Sequence, residues 1–355
     1  MISVYLNNAA TSWPKPPSVV EAVTEALARE PVSPLRSNLS ARDDVLTSLR
    51  RSLGRLFNIG DWERIFFCSG ATDAVNRVLK GVVWRDCSFS PDSHNSVLRP
   101  LFNDVFTKSD GAYSLTVCNH CSNVTGAVVD VDEACQEAHR QGRLLLLDAA
   151  QSAGCIPIDV DGWGVDILVF TGHKALFGPM GTGGYYVRRG ISLRPLLFGG
   201  TGRDSSLIKY GDDNEWEYEV GTQNMPGLAG LKAGVDYVLE RGVENICQKE
   251  RQLTLWLIDE LRRIPHVRLY VASAPDVQGP VASFNIDGLL PADVGYILQN
   301  SYGITVRTGL HCAPLAHQSL GTEKYGTVRV SLSDFTSESD IQALVKAVKD
   351  IASSV

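Results

Sequence analysis

Residues 143–189 read RLLLLDAAQSAGCIPIDVDGWGVDILVFTGHKALFGPMGTGGYYVRR, and the fold turns on this stretch. Three apolar runs stand in it: Leu144–Leu147, Val165–Phe170 and Gly184–Val187. Each is bounded by glycine or charge and is too short for a helix. Continuous apolar runs of this length suit strands buried on both faces, as in a mostly parallel sheet covered by helices. Polar residues gather where the first two runs end. Asp148 and Gln151 follow the first; Thr171, His173 and Lys174 follow the second. Open α/β sheets bind ligands beyond the carboxyl ends of their strands, so the site is expected here.

Two of these residues need a chemical reason. A lysine in a desolvated crevice has a lowered pKa and a nucleophilic amine, and a Schiff base to a carbonyl or a pyridoxal cofactor is the natural use. The plainer alternative for Lys174 is an exposed lysine beside the Gly-rich run 178–184. Asp148 follows four leucines directly. Burying a carboxylate is costly unless it is paired, and a pyridinium nitrogen is one partner that would satisfy it.

Outward from the centre, the pattern predicts helices over about 18–30, 40–58, 73–84 and 132–140, and strands over 65–68, 86–90 and 115–118. The turn Ser69-Gly-Ala-Thr72 joins the first of these strands to a helix. Gly70 permits a tight turn, and the free N–H groups at the helix start suit a phosphate. Simple helix capping accounts equally well for Thr72. A long helix is expected over about 226–261, with a break near Gly242. Beyond it, short strands (267–270, 281–285, 304–307, 327–331) alternate with helices (292–300, 338–351), the pattern of a compact α+β unit.

Two cysteine motifs stand out. Cys118-Asn-His-Cys121 has CxxC spacing, but no second pair completes a zinc site, which leaves a redox pair or core packing. Cys312 lies in RTGLHCAPLAH (307–317), flanked by glycine and proline, where a thiol is accessible. Most cysteines are small core hydrophobes, and the other seven are read that way. Arg307 and His311 lie close to Cys312 in sequence and could favour its thiolate. Arg329 sits on a predicted strand, and a buried guanidinium needs an anion: a carboxylate ligand or a structural acid such as Asp334.

At 355 residues the chain can bury a large core and is expected to form two domains: 15–225, and 1–14 together with 226–355. A net charge of -7 argues against nucleic-acid and membrane partners. No run reaches membrane-spanning length, no secretory pattern opens the chain, and eight cysteines are too few for a disulfide scaffold at this size. A cytoplasmic setting is expected.

The segments YLNNAATSWPKP (5–16), FFCSGATDAVN (66–76), SHNSVLRPL (93–101), HCSNVTG (120–126), FTGHKALFGPMGTGG (170–184), EVGTQN (219–224), VRTGLHCAPLAH (306–317) and GTVRVSLSDF (326–335), with the LDAAQSAG run, occur in the order of a known family. The chain resembles the class V, fold-type-I enzymes that use pyridoxal 5′-phosphate (PLP), specifically the cysteine desulfurase and selenocysteine lyase family. The resemblance implies an α/β domain around a mostly parallel sheet, plus a smaller C-terminal α+β domain. It implies that Ala71, Thr72, Thr171 and His173 hold the PLP phosphate, joined by Thr222 from a neighbouring subunit of a homodimer. Asp148 would pair with the pyridinium nitrogen, Gln151 and Asn123 would lie at the phenolic oxygen, and His94 would stack on the ring with a catalytic part. Lys174 would bond the cofactor and move protons, Arg329 would grip the substrate carboxylate beside Asn123, and Cys312 would accept sulfur as a persulfide. No metal is implied.

The substrate would be L-cysteine, or L-selenocysteine, with alanine as product. The short loop around Cys312 resembles the SufS-like group, in which an acceptor protein carries the sulfur away. Other class V reactions, namely transamination, epimerisation and β-elimination, are the alternatives, as is a non-catalytic scaffold of a sulfur-transfer complex. The chain departs from the family between Leu101 and Leu115. A helix, an edge strand and a further helix are reduced to FNDVFTKSDGAYS. Loss of that strand is expected to shift the edge role to another one.

Overall fold

The computed structural model describes residues 4–30, 44–103, 113–200, 206, 208 and 218–354. The chain opens with β1 (Val4–Tyr5), α1 (Pro17–Ala28) and α2 (Val45–Phe57). Next come β2 (Ile65–Cys68), α3 (Ala71–Gly81), β3 (Trp84–Phe89) and α4 (Asn95–Phe102). The centre holds β4 (Tyr113–Asn119), α5 (Val131–Arg140), β5 (Arg143–Asp148), α6 (Val160–Trp163), β6 (Ile167–Thr171) and β7 (Gly183–Val187). Two helices follow, α7 (Met225–Arg241) and α8 (Val243–Arg262). Then come β8 (Val267–Tyr270), β9 (Val281–Ile286), α9 (Pro291–Tyr302), β10 (Ile304–Thr305), β11 (Arg307–Gly309), α10 (Pro314–Leu320), β12 (Thr327–Ser331) and α11 (Glu338–Ala352).

The leucine run feeds two cores at once. Leu145 and Leu147 pack with α2, α5 and α7, whereas Leu146 packs with α3 and α4 on the other face. β6 alternates in the same way, Leu168 and Phe170 to one side, Ile167 and Val169 to the other. Leucine intrinsically favours a helix by only tenths of a kcal/mol. Full burial is worth about 2 kcal/mol per leucine and decides the matter.

The large sheet runs β2-β7-β6-β5-β4-β3. Pairs β3–β4, β4–β5 and β5–β6 are parallel, and β7 alone runs against its neighbours. The carboxyl ends of β2, β4, β5 and β6 therefore open on one side. Among the described residues β2 and β3 are the edge strands, and β3 exposes Arg85, Asp86 and Ser88, as polar side chains on an edge should be. A second sheet, β11-β12-β9-β8, is antiparallel and packs against α8, α9 and α11. β1 joins β10 in a two-stranded parallel pair, so the N-terminal segment begins beside the C-terminal sheet.

The predicted elements recur with shifted ends. α3 starts at Ala71 rather than near residue 73, because Gly70 (φ 144) makes the turn. The long helix is broken at Gly242 (φ 79), where a side chain would be strained. The strand expected at 304–307 is two short strands in different sheets, and α10 was not foreseen. Most of the 191–219 connection and part of the shortened region lie outside the described residues. Among the described residues no helix is long and apolar enough to cross a membrane.

Candidate active site

The strand ends enclose a cavity of about 370 Å³. Ala71, Thr72, His94, Asn123, Asp148, Gln151, Thr171, His173, Lys174 and Arg329 all line it. They come from residues far apart in the chain, and the parallel strand order brings them together. Asn119 and Asp148 are register partners at the ends of β4 and β5, and Thr171 ends β6 opposite Gly183.

Lys174 lies just past β6, and among the described residues its Nζ makes no hydrogen bond or ion pair. Desolvation draws its pKa down to about 8; Asp148 opposes the shift, and Arg329 and Arg307 add to it. The amine is thus available in neutral form far closer to neutrality than an ordinary lysine. Asp148 is buried, accepts one bond from the Ala150 N–H (3.0 Å), and has its pKa raised by burial. Gln151 donates to the Ala9 carbonyl (3.2 Å).

At the cavity's other end, α3 presents its first turn. Its N-cap, Gly70, supplies no capping side chain, and Thr72 is not a cap, contrary to the simpler reading. Thr72 and Thr171 both face the cavity, and a Cβ on Gly70 would lie 3.4 Å from Thr171 Oγ1. His173 Nδ1 is buried and unpartnered, and burial and Lys174 draw its pKa down to about 4. His94 serves as N-cap of α4, its Nδ1 accepting from the Ser96 N–H (3.0 Å), while it also lines the cavity. Its ring is held neutral, with a pKa near 4, by burial and by Lys174.

Arg329 is fully buried on β12. Nη1 donates to the Asn123 carbonyl (3.1 Å) and Nη2 to Asn7 Oδ1 (3.4 Å); Nε has no partner. Its pKa is drawn down to about 9 by burial, with Arg307 adding to the effect. Asp334 does not answer it. That carboxylate instead takes Arg241 (2.9 Å) and Tyr237 (2.6 Å). A buried guanidinium that faces the cavity and has no carboxylate partner among the described residues can receive one from a ligand.

Cys312 does not itself line the cavity, but Arg307 does, and its Nη2 lies 3.4 Å from Cys312 Sγ. His311 and Cys312 have φ of 50 and 61, a conformation costly for residues with a Cβ. The loop is held there by its carbonyls: Cys312 O accepts from the Asn95 N–H (2.7 Å) and His311 O from Asn123 Nδ2 (2.6 Å). The expectation for His311 fails. Its Nε2 meets Thr327 Oγ1 (3.0 Å), and burial with Arg329 nearby keeps the ring neutral, so it lends no charge to the thiol.

Cys118 and Cys121 are buried, and burial pushes both thiols up to about 12, so they act as core. Thr222 is exposed and does not line this cavity. Its segment is anchored by Glu219, which pairs with Arg50. Sequence reasoning missed Asn119, which lines the cavity and bonds Asp92 (3.0 Å), and Asn7, the partner of Arg329. A polar residue at a parallel strand's end was the available signal for Asn119. Asn7 carried none. Among the described residues no group of His, Cys, Asp and Glu gathers as a metal site.

A strand-end lysine in a site with a buried carboxyl and an open helix N-terminus, on a mixed and mostly parallel sheet, defines a PLP-dependent enzyme of fold type I. The aminotransferase class-V family model matches residues 4–97 and 99–344, and the chain belongs to this family. A protein of Methanothermobacter thermautotrophicus named "Probable cysteine desulfurase" is 32% identical, covering 98% of this chain and 94% of that one. A like-named protein of Halalkalibacterium halodurans is 29% identical, with 98% and 92% covered. The first alignment spans 382 positions against 355 residues here. Among solved structures, a cysteine desulfurase from Thermococcus onnurineus superposes with a TM-score of 0.87 at 26% identity, covering 99% and 95%. One from Escherichia coli gives 0.83 at 25%, with the same coverage.

The family's cofactor is PLP, and the residues present fit it. The buried Asp148 carboxyl complements a pyridinium N–H, the α3 N–H groups complement a phosphate, and the orphaned His173 Nδ1 faces the same need.

Proposed function

We propose that this protein is a cysteine desulfurase, converting L-cysteine to L-alanine and passing the sulfur to Cys312. One observation carries the reading: the Cys312 thiol lies 3.4 Å from Arg307, whose guanidinium lines the cavity that also holds Lys174, with no partner on its Nζ among the described residues, and Arg329, which has no acid partner there. Lys174 would hold the cofactor's aldehyde, Asp148 its ring nitrogen, Gln151 and Asn123 the phenolic side, and His94 the ring face. Ala71, Thr72, Thr171 and His173 would hold the phosphate. Bound PLP withdraws electrons from the substrate's α-carbon.

Arg329 grips the substrate carboxylate and orients the molecule. Lys174, once released as a free amine, takes the α-proton and later returns a proton to the product. The Cys312 thiolate attacks the substrate sulfur, whose carbon bond breaks. The sum balances: cysteine and the Cys312 thiol become alanine and a Cys312 persulfide. Arg307 Nη2 donates to Cys312 Sγ and so holds the sulfur in place. Incubation with L-cysteine should give alanine and protein-bound sulfur in equal amounts. Pyruvate and free sulfide would instead mark β-elimination and defeat the proposal. A further acceptor, a small thiol or a protein, would then unload Cys312.

Arg329→Met should keep cofactor binding but raise KM for cysteine by about 10- to 100-fold, the worth of a lost charged pair. An unchanged KM in steady-state kinetics would remove Arg329 from substrate binding. The Lys174 pKa near 8 sets a pH dependence. A lowered pKa puts the neutral, reactive amine at lower pH. PLP capture by cofactor-free protein should therefore rise with pH and reach half its maximum near pH 8, not near the 10.5 of an ordinary lysine. Stopped-flow absorbance measures this.

The exposed Thr222 supports a site shared across a homodimer, with this threonine reaching the phosphate in the neighbouring subunit. Light scattering should give twice the 38.6 kDa chain mass. A fully active monomer would refute it.

A further inference from the structure

Lys174 lies beyond the end of β6, where no sheet ladder holds its backbone. Besides one local turn bond, from the Phe177 N–H to the Lys174 carbonyl (2.8 Å), the N-terminal segment does so. The His173 carbonyl accepts the Ser12 N–H (3.0 Å), the Thr11 hydroxyl (3.1 Å) and the Lys15 ammonium (2.9 Å). The Lys174 carbonyl accepts the Ser12 hydroxyl (2.7 Å), and Lys15 also donates to that same oxygen, Ser12 Oγ (2.8 Å). The two carbonyls on either side of the Lys174 Cα are thus both gripped, one by a cation.

Lys15 has no acid partner among the described residues, and burial draws its pKa down to about 8. A desolvated ammonium without a counter-charge is costly where packing alone is wanted. Its bonds go to Ser12 and His173, and charge-assisted bonds of this kind are the strong ones. Neither Ser12 nor Lys15 lines the 370 Å³ cavity, so neither serves as a ligand there. The same segment is fixed at its other end to the strand that carries Arg329. Asn8 Nδ2 donates to the Ser331 carbonyl (3.0 Å), Ala9 N–H to Ser331 Oγ (2.8 Å), and Asn7 accepts from Arg329.

We propose that Ser12 and Lys15 are positioning residues: they clamp the backbone on both sides of Lys174 and so aim its amine, while segment 7–15 sets its distance from Arg329. The proposal rests on Lys174 being the lysine that takes the cofactor. It explains why the polar residues of NNAATSWPK are gathered in a segment remote in sequence from the strand end it serves. A misplacement of about 1 Å at a reacting group can cost on the order of 100-fold in rate.

The test uses the full chain with Lys15→Met, Lys15→Arg and Ser12→Ala. Borohydride trapping with PLP, followed by peptide mass mapping, reads where and how fast the adduct forms. Melting of the cofactor-free protein reads the folded fraction, and alanine formation reads kcat and KM. In Lys15→Met the adduct should still map to Lys174 but form about 10-fold more slowly, and kcat should fall about 10- to 100-fold with KM for cysteine little changed. Lys15→Arg should recover most of both rates, and Ser12→Ala should show the same pattern more mildly. An adduct on Lys174 with rates unchanged in Lys15→Met, or a loss that vanishes once corrected for folded fraction, overturns the clamp alone. Failure of Lys15→Arg to improve on Lys15→Met does the same. An adduct on another lysine in the unaltered protein overturns the Lys174 reading and the clamp with it.

Discussion

Lys174→Ala is expected to abolish the covalent adduct that borohydride traps between protein and PLP, and to lower alanine formation by about 1,000-fold or more. The size follows from two roles held by one amine. In the proposed mechanism it is both the nucleophile that bonds the cofactor and the base that takes the substrate's α-proton. Desolvation prepares it for both by drawing its pKa to about 8. The phosphate and ring contacts proposed for Thr72, Thr171, His173 and Asp148 do not need the lysine, so the variant should still bind PLP reversibly. Visible absorbance before and after borohydride, with mass mapping, separates the outcomes. A reducible adduct that persists in Lys174→Ala would place the cofactor on another lysine and remove the basis of the site.

Cys312→Ser should leave the trapped adduct intact and lose persulfide formation, with alanine release from cysteine down by about 1,000-fold. The hydroxyl keeps the loop's packing, and the carbonyl bonds from Asn95 and Asn123 that hold the loop do not involve the thiol. What disappears is the soft nucleophile that the proposed mechanism needs for the substrate sulfur. Selenocysteine should be less affected, since selenium leaves more readily. Mass spectrometry of the cysteine-treated protein should find the added sulfur on Cys312 in the unaltered chain and none in the variant. If Cys312→Ser makes alanine from cysteine at the normal rate, the thiol has no part in sulfur transfer.

The strand-end residues were legible because their pattern is local. An apolar run followed at once by Asp148, or by Thr171, His173 and Lys174, is visible along a few residues, and the parallel sheet converts adjacent strand ends into one cavity. Asn119 belongs to the same pattern but lies inside the CxxC of Cys118 and Cys121, whose cysteines are the more conspicuous signal. Cys312 was legible from its flanking glycine and proline. The orientation of His311 was not, since a neighbour in sequence at a positive φ can point the opposite way.

By itself, the sequence determined the sheet, through apolar runs that bury two faces, and the place of the cavity, through a lysine and an aspartate placed where such runs end. These are properties of short windows, in which period and polarity suffice. Only the tertiary structure decided the pairings. Arg329 meets Asn7 and Asn123 rather than Asp334, because Asp334 is taken by Arg241 and Tyr237 from α7. Segment 7–15 grips the carbonyls at 173 and 174 because β1 pairs with β10 and carries that segment from the C-terminal sheet to the end of β6. Hydrogen-bond partners hundreds of residues apart leave no periodic trace in the chain; they exist only when packing has brought two backbones together.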